Sequence, residues 1–126
     1  MSTSTMLLIA FAVFTVWRLL RMRPDPGRIA AAQVALANGA ALLDVRSASE
    51  FRSGHLPGAK NLPLPSLGRR VNEAGPLERA VVVYCASGAR SRAAASYFRN
   101  AGYTRVIDAG AMRNLAAVVA QPDAAQ

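Results

Sequence analysis

At 126 residues, 52% of them apolar, the chain has room for one domain with a full core and little else. A single cysteine excludes an internal disulfide, and a single histidine leaves too few ligands for a zinc site built from Cys and His. The net charge of +8 is carried by scattered arginines with Lys60 the one lysine; without a basic run beyond Arg69-Arg70 it suits a membrane surface or small anionic substrates, not nucleic acid.

Met1 to Trp17 contains no charged side chain, and its core from Met6 to Trp17 is apolar without amphipathic spacing. At about 1.5 Å per residue, a helix that also includes Arg18, Leu19 and Leu20 approaches the ~30 Å hydrocarbon thickness of a bilayer. Arg18, Arg21, Arg23 and Arg28 follow the apolar run. By the positive-inside rule they place the flank after it in the cytoplasm. A cleaved signal peptide wants its positive charge before the apolar run and small residues after it. Here the charge lies on the other side, so the expectation is one uncleaved transmembrane anchor in the inner (cytoplasmic) membrane. Residues 1–23 form this anchor and its basic flank. Residues 24–28, with Pro24-Asp25-Pro26-Gly27, read as a linker.

Ile29 to Ala37 is Ala-rich and suits a helix stopped by Asn38-Gly39. Ala41 to Val45 reads as a short buried strand leading to Arg46. Ser47 and Glu50 have capping-box spacing for a short helix through Arg52. A loop from Gly54 to Ala59 leads to a brief strand at Lys60–Leu62, and Pro63 and Pro65 precede a helix expected over Ser66–Glu73. Val81 to Tyr84 is a β-branched strand that delivers Cys85. The pattern from Arg90 to Asn100 is helical, with Ala94, Tyr97 and Phe98 expected to face inward. Thr104 to Ile107 gives a last strand, Asp108-Ala109-Gly110 a turn, and Met112 to Ala120 a closing helix. The tail, 121–126, is expected to be loose, leaving 29–120 as the folded domain.

Strands alternating with helices imply an α/β domain: a central parallel sheet with helices on both faces, three layers in all. Functional sites in such sheets lie beyond the carboxyl ends of the strands. Cys85 stands at that end of its strand, and Asp44-Val45-Arg46 at that end of another. Ala86, Ser87, Gly88 and Ala89 leave room for backbone N–H groups to turn toward the sulfur. The following helix start and Arg90 would add positive potential, which suits a thiolate nucleophile.

Leu43-Asp44-Val45-Arg46, Glu50-Phe51, Gly54-His55-Leu56-Pro57-Gly58-Ala59, Asn61 and Pro63 resemble the N-terminal signature of the rhodanese family. Cys85-Ala86-Ser87-Gly88-Ala89-Arg90-Ser91 resembles the active-site loop of its single-domain members, and the likeness extends over about Ile29 to Ala120. The resemblance implies a sulfurtransferase needing no cofactor or metal. Cys85 would take a sulfane sulfur from a small anionic donor such as thiosulfate, or from a persulfide. It would pass that sulfur to a thiol, a cyanide-like acceptor or a protein. The related Cys-based phosphatases carry one more residue between Cys and Arg, so the shorter loop here favours sulfur over phosphoryl transfer. Arg90 is expected either to bind the donor or to hold the loop through a carboxylate. Asp44 and Arg46 are expected as a supporting ion pair, and His55 as structural.

Two features depart from the family pattern. The loop interior lacks the extra basic residues that help some two-domain members bind thiosulfate, and Glu50 stands near the place of another such basic residue. Ala109-Gly110 and Asn114 replace a usual Gly-Gly and Trp. The competing function, from a different class, is a non-catalytic module that docks a partner protein at the cytoplasmic membrane face.

Overall fold

The computed structural model describes residues 2–21 and 25–119. The expectations for Arg23, Pro24, Ala120 and the tail lie outside them. The first helix, α1 (Thr3–Arg21), buries none of its side chains and is long and apolar enough to cross a membrane by length and composition. Two of its polar side chains make contacts within the helix. The Thr15 hydroxyl donates to the Phe11 carbonyl at 2.8 Å, and the Arg21 guanidinium lies 4.3 Å from the Trp17 ring centroid.

The domain runs α2 (Pro26–Ala37), β1 (Ala41–Asp44), α3 (Ala48–Arg52), β2 (Lys60–Asn61), α4 (Leu67–Arg70), β3 (Val81–Cys85), α5 (Ala89–Asn100), β4 (Val106–Ala111) and α6 (Met112–Val119). The four strands form one sheet of order β2-β1-β3-β4, every neighbouring pair parallel. Parallel strands covered on both faces read as unbroken apolar runs, and Val81 through Cys85 are fully buried. The two-residue period splits them between two cores. Leu42, Val82 and Tyr84 pack with Ala32 and Leu115 under α2 and α6, while Leu43, Val83 and Cys85 pack with Leu67, Ala94 and Phe98 under α4 and α5. Burying a Leu, Val or Phe side chain contributes about 1.5–3 kcal/mol each, so these two layers fix the sheet that carries the cysteine.

Several elements differ from their sequence reading. The helix expected from Ile29 begins at Pro26, because Asp25 caps it: its side chain accepts the Gly27 and Arg28 N–H groups at 2.9 and 3.4 Å. Residues 26–28, read as linker, are therefore helical. The expected helix over Ser66–Glu73 is one α-turn flanked by 3₁₀ turns at Leu64–Ser66 and Val71–Ala74. The Asp108-Ala109-Gly110 turn is strand. Those residues form an irregularity in β4 opposite Val83 and Tyr84, where the Asp108 carboxylate accepts the Gly110 N–H at 2.9 Å. An Asx-type bond, which usually builds a turn, here builds a bulge. In α5 the inward stripe is Ser91, Ala94, Ala95 and Phe98, whereas Tyr97 is exposed. Small side chains at three of those four places let the helix lie close to the sheet.

Candidate active site

Cys85 ends β3 with its side chain buried, and its Sγ accepts the Gly88 N–H at 3.0 Å. That N–H reaches back to the sulfur because Gly88 adopts φ 110°, ψ −20°, a left-handed conformation that glycine enters at little cost. The Gly88 carbonyl is held from the other side by the buried Ser91 hydroxyl at 3.0 Å and the Arg92 N–H at 3.2 Å. Gly88 is thus pinned through both of its backbone polar groups. Ser91 sits inside α5 rather than at its cap, which is Gly88. Ala86, Ser87 and Ala89 are exposed, so the loop meets solvent with small side chains.

Arg90 does not face the sulfur's surroundings as a free cation. Its guanidinium makes a two-point pair with Glu50, at 2.6 and 2.9 Å, across forty positions of sequence. The same carboxylate accepts the Ser47 N–H at 3.2 Å and so completes the capping box of α3. Hydrogen bonding from Arg90, then from the Ser47 backbone, holds the Glu50 carboxyl down at about 2. Of the two expectations for Arg90, this pair matches the loop held through a carboxylate. Its positive potential at the loop is largely cancelled by Glu50.

Asp44 and Arg46 form a second, sealed pair beside it. Nη2 of Arg46 lies 2.7 Å from Asp44 Oδ2, the Arg46 N–H and Nε donate to Oδ1 at 2.9 and 3.0 Å, and Nη2 also donates to the Gly54 carbonyl at 2.6 Å. Asn61 donates to the carbonyls of both residues at 3.0 and 2.9 Å. Hydrogen bonding to Asp44 raises the Arg46 pKa. Asp44 pairs in register with Tyr84, the residue before the cysteine, and the Val45 N–H donates to the Tyr84 carbonyl at 3.1 Å. The buried Tyr84 hydroxyl accepts the Leu56 N–H at 3.1 Å, and burial pushes that phenol's pKa up. The upstream signature thus serves as a clamp that ties the 54–61 segment to β1 and β3.

His55 stacks on Phe51 with ring centroids 3.7 Å apart, and its Nδ1–H donates to the Phe51 carbonyl at 3.0 Å. Its ring is engaged with the last turn of α3. Among the residues assigned from sequence, Cys85, Gly88 and Arg90 come together as one loop, while Asp44 and Arg46 brace the strand behind it. Glu50 is the partner of Arg90 that sequence reasoning missed. Its capping-box role was visible locally, but nothing local announces a partner forty residues away.

A family model described as "Rhodanese-like domain" matches residues 29–111. A sulfurtransferase of Allochromatium vinosum is 42% identical over 67 residues, covering 53% of this chain. The match spans 62% of that relative's length. The thiosulfate sulfurtransferase PspE of Escherichia coli is 35% identical over 75 residues, which are 59% of this chain and 72% of the relative. The solved structure of a rhodanese with anions from E. coli superposes with a TM-score of 0.57 at 32% identity, covering 60% of this chain and 91% of that one. With its four-stranded parallel sheet and a cysteine loop at the carboxyl end of β3, the chain belongs to the rhodanese family.

Proposed function

We propose that the protein is a sulfurtransferase that carries a sulfane sulfur on Cys85. The observation that supports this most is the pinned Gly88 residue, whose N–H meets Cys85 Sγ at 3.0 Å in a loop clamped to α3 by Arg90 and Glu50. A backbone donor aimed at a sulfur needs no side chain and stabilises negative charge there without reorganising during the reaction. The Cys85 thiolate attacks the outer sulfur of the donor and forms a new S–S bond. The donor's own S–S bond breaks, and with thiosulfate the electron pair departs on sulfite. A nucleophilic acceptor then attacks the outer sulfur of the persulfide and returns the electron pair to Cys85 as thiolate.

Because Arg90 is committed to Glu50, the loop offers an anionic donor mainly backbone dipoles. This favours a thiol persulfide over thiosulfate as the working donor. The apolar, wholly exposed α1 supports a membrane anchor, and the arginines after it support a cytoplasmic domain.

The assay is transfer from thiosulfate, or from a cysteine persulfide, to cyanide. Wild type is expected to turn over, and Cys85→Ser to lose all transfer while keeping its circular dichroism spectrum. Transfer persisting in Cys85→Ser would overturn the mechanism. A wild type inert toward every sulfane donor would instead support the docking module.

A further inference from the structure

Beside the loop lies a trough of about 840 Å³ that follows β4, one of the two edge strands of the sheet, and reaches Ser87. Its walls come from both helical layers. Arg92 and Arg99 line it from α5, one stripe at i and i+7, while Arg28 of α2 and Arg113 of α6 line the other side. With Arg21 at the end of α1, five arginines thus line one groove against two aspartates, Asp25 and Asp108. Arg28 lies 3.7 and 3.8 Å from those aspartates. Arg92 and Arg113 have no ion-pair partner among the described residues. Part of the strand edge is already capped: Arg99 donates to the Val106 carbonyl at 3.4 Å, and Asp108 takes the Gly110 N–H. An occupant would therefore be read by its charge more than by strand pairing.

Length decides what kind of anion fits. Six strand residues span about 20 Å, far longer than a small sulfur oxyanion, with positive charge distributed along the run. We propose that this trough docks an extended Asp/Glu-rich segment of a thiol-bearing partner protein and delivers its cysteine to the Cys85 loop. The proposal rests on the sulfur-transfer reading and supplies the acceptor class for it. In the transfer, the partner thiolate attacks the outer sulfur of the Cys85 persulfide and a new S–S bond forms. The old S–S bond breaks, and Cys85 leaves as thiolate.

The test uses the full chain in neutral detergent and two labelled decapeptides, each with one cysteine beside a run of either glutamates or glutamines. Docking is read by fluorescence anisotropy on Cys85→Ser, so it stands or falls whether or not transfer to cyanide is ever seen. The glutamate peptide is expected to bind ~10-fold more tightly, and that preference to fade as salt rises. The double reversal Arg99→Glu/Arg113→Glu should erase the preference while leaving cyanide turnover of the otherwise wild-type protein unchanged. On persulfidated wild type, the glutamate peptide should likewise be the faster sulfur acceptor. Equal binding of the two peptides would overturn the proposal, as would a preference that survives the reversal. So would arginine-dependent binding of phosphatidylglycerol micelles in place of the acidic peptide.

Discussion

Arg46 and Arg90 each close on a carboxylate with a shortest contact below 3 Å, yet the two pairs do different work. The Arg46–Asp44 pair is sealed: its side chains are 7% and 0% exposed, and every polar atom of the carboxylate is used locally. The Arg90–Glu50 pair is about one-third open to solvent and joins two elements that share no strand pairing. The first can only hold β1 and its following loop in place. The second holds the cysteine loop, where a small displacement would move the Gly88 N–H off the sulfur. Burial thus separates a folding clamp from a positioning clamp built of the same chemistry.

The difference can be broken at its largest point first. Asp44→Ala leaves the buried Arg46 guanidinium with the Gly54 carbonyl but without its hydrogen-bonded counter-charge, and removing one partner of such a pair costs about 3–5 kcal/mol. Urea unfolding should show that loss. At low denaturant, the folded fraction should still take up sulfur on Cys85. If Asp44→Ala instead kept full stability but lost sulfur uptake, the sealed pair would belong to the chemistry and the contrast would collapse.

Gly88→Ala acts on the loop alone. Added bulk is not the difficulty, since a Cβ there meets only the Gly110 Cα at 4.0 Å. The strain comes from φ near +110°, worth about 1–3 kcal/mol in a non-glycine residue. Relaxing that strain would turn the N–H away from Sγ. Sulfur transfer should then fall about 100-fold, the cost of losing one preorganised backbone donor. Unchanged kinetics would mean that the Gly88 contact is incidental.

Glu50→Gln should give the smallest effect: a loosened loop, with a modest loss of transfer that Glu50→Asp partly restores. Its signature is in pH. The folded carboxyl is depressed from 4.5 to about 2. Its stabilising contribution is therefore complete above about 4.5 and disappears as pH falls from there through about 2. The gap in melting temperature between wild type and Glu50→Gln should be constant near neutrality and close over that acid window. A gap that widened on acidification would refute the assignment.

The sheet, the cysteine loop and the upstream clamp were legible because they depend on local pattern. Val81–Tyr84 is an unbroken β-branched run, Ser47 and Glu50 stand at capping distance, and Gly88 marks a tight loop before a helix. What escaped depends on contacts distant in sequence or on competition between local signals. Glu50 satisfies Ser47 and Arg90 at once, and only the first bond is local in sequence. Asp108-Ala109-Gly110 has turn chemistry, but pairing with β3 turns it into a bulge. Tyr97 looks like core by type, while the spacing of Ser91, Ala94, Ala95 and Phe98 puts it one step off the buried stripe. The arginine trough was invisible because its arginines come from four helices and are adjacent only once β4 forms the sheet edge.

The most direct test of the central claim is intact-mass spectrometry of the non-reduced protein after exposure to a sulfane donor. With one cysteine in the chain, the account predicts a gain of a single sulfur atom on wild type. That sulfur should be lost on addition of cyanide and never appear on Cys85→Ser. A wild-type mass unchanged by thiosulfate and by low-molecular-weight persulfides alike would contradict it.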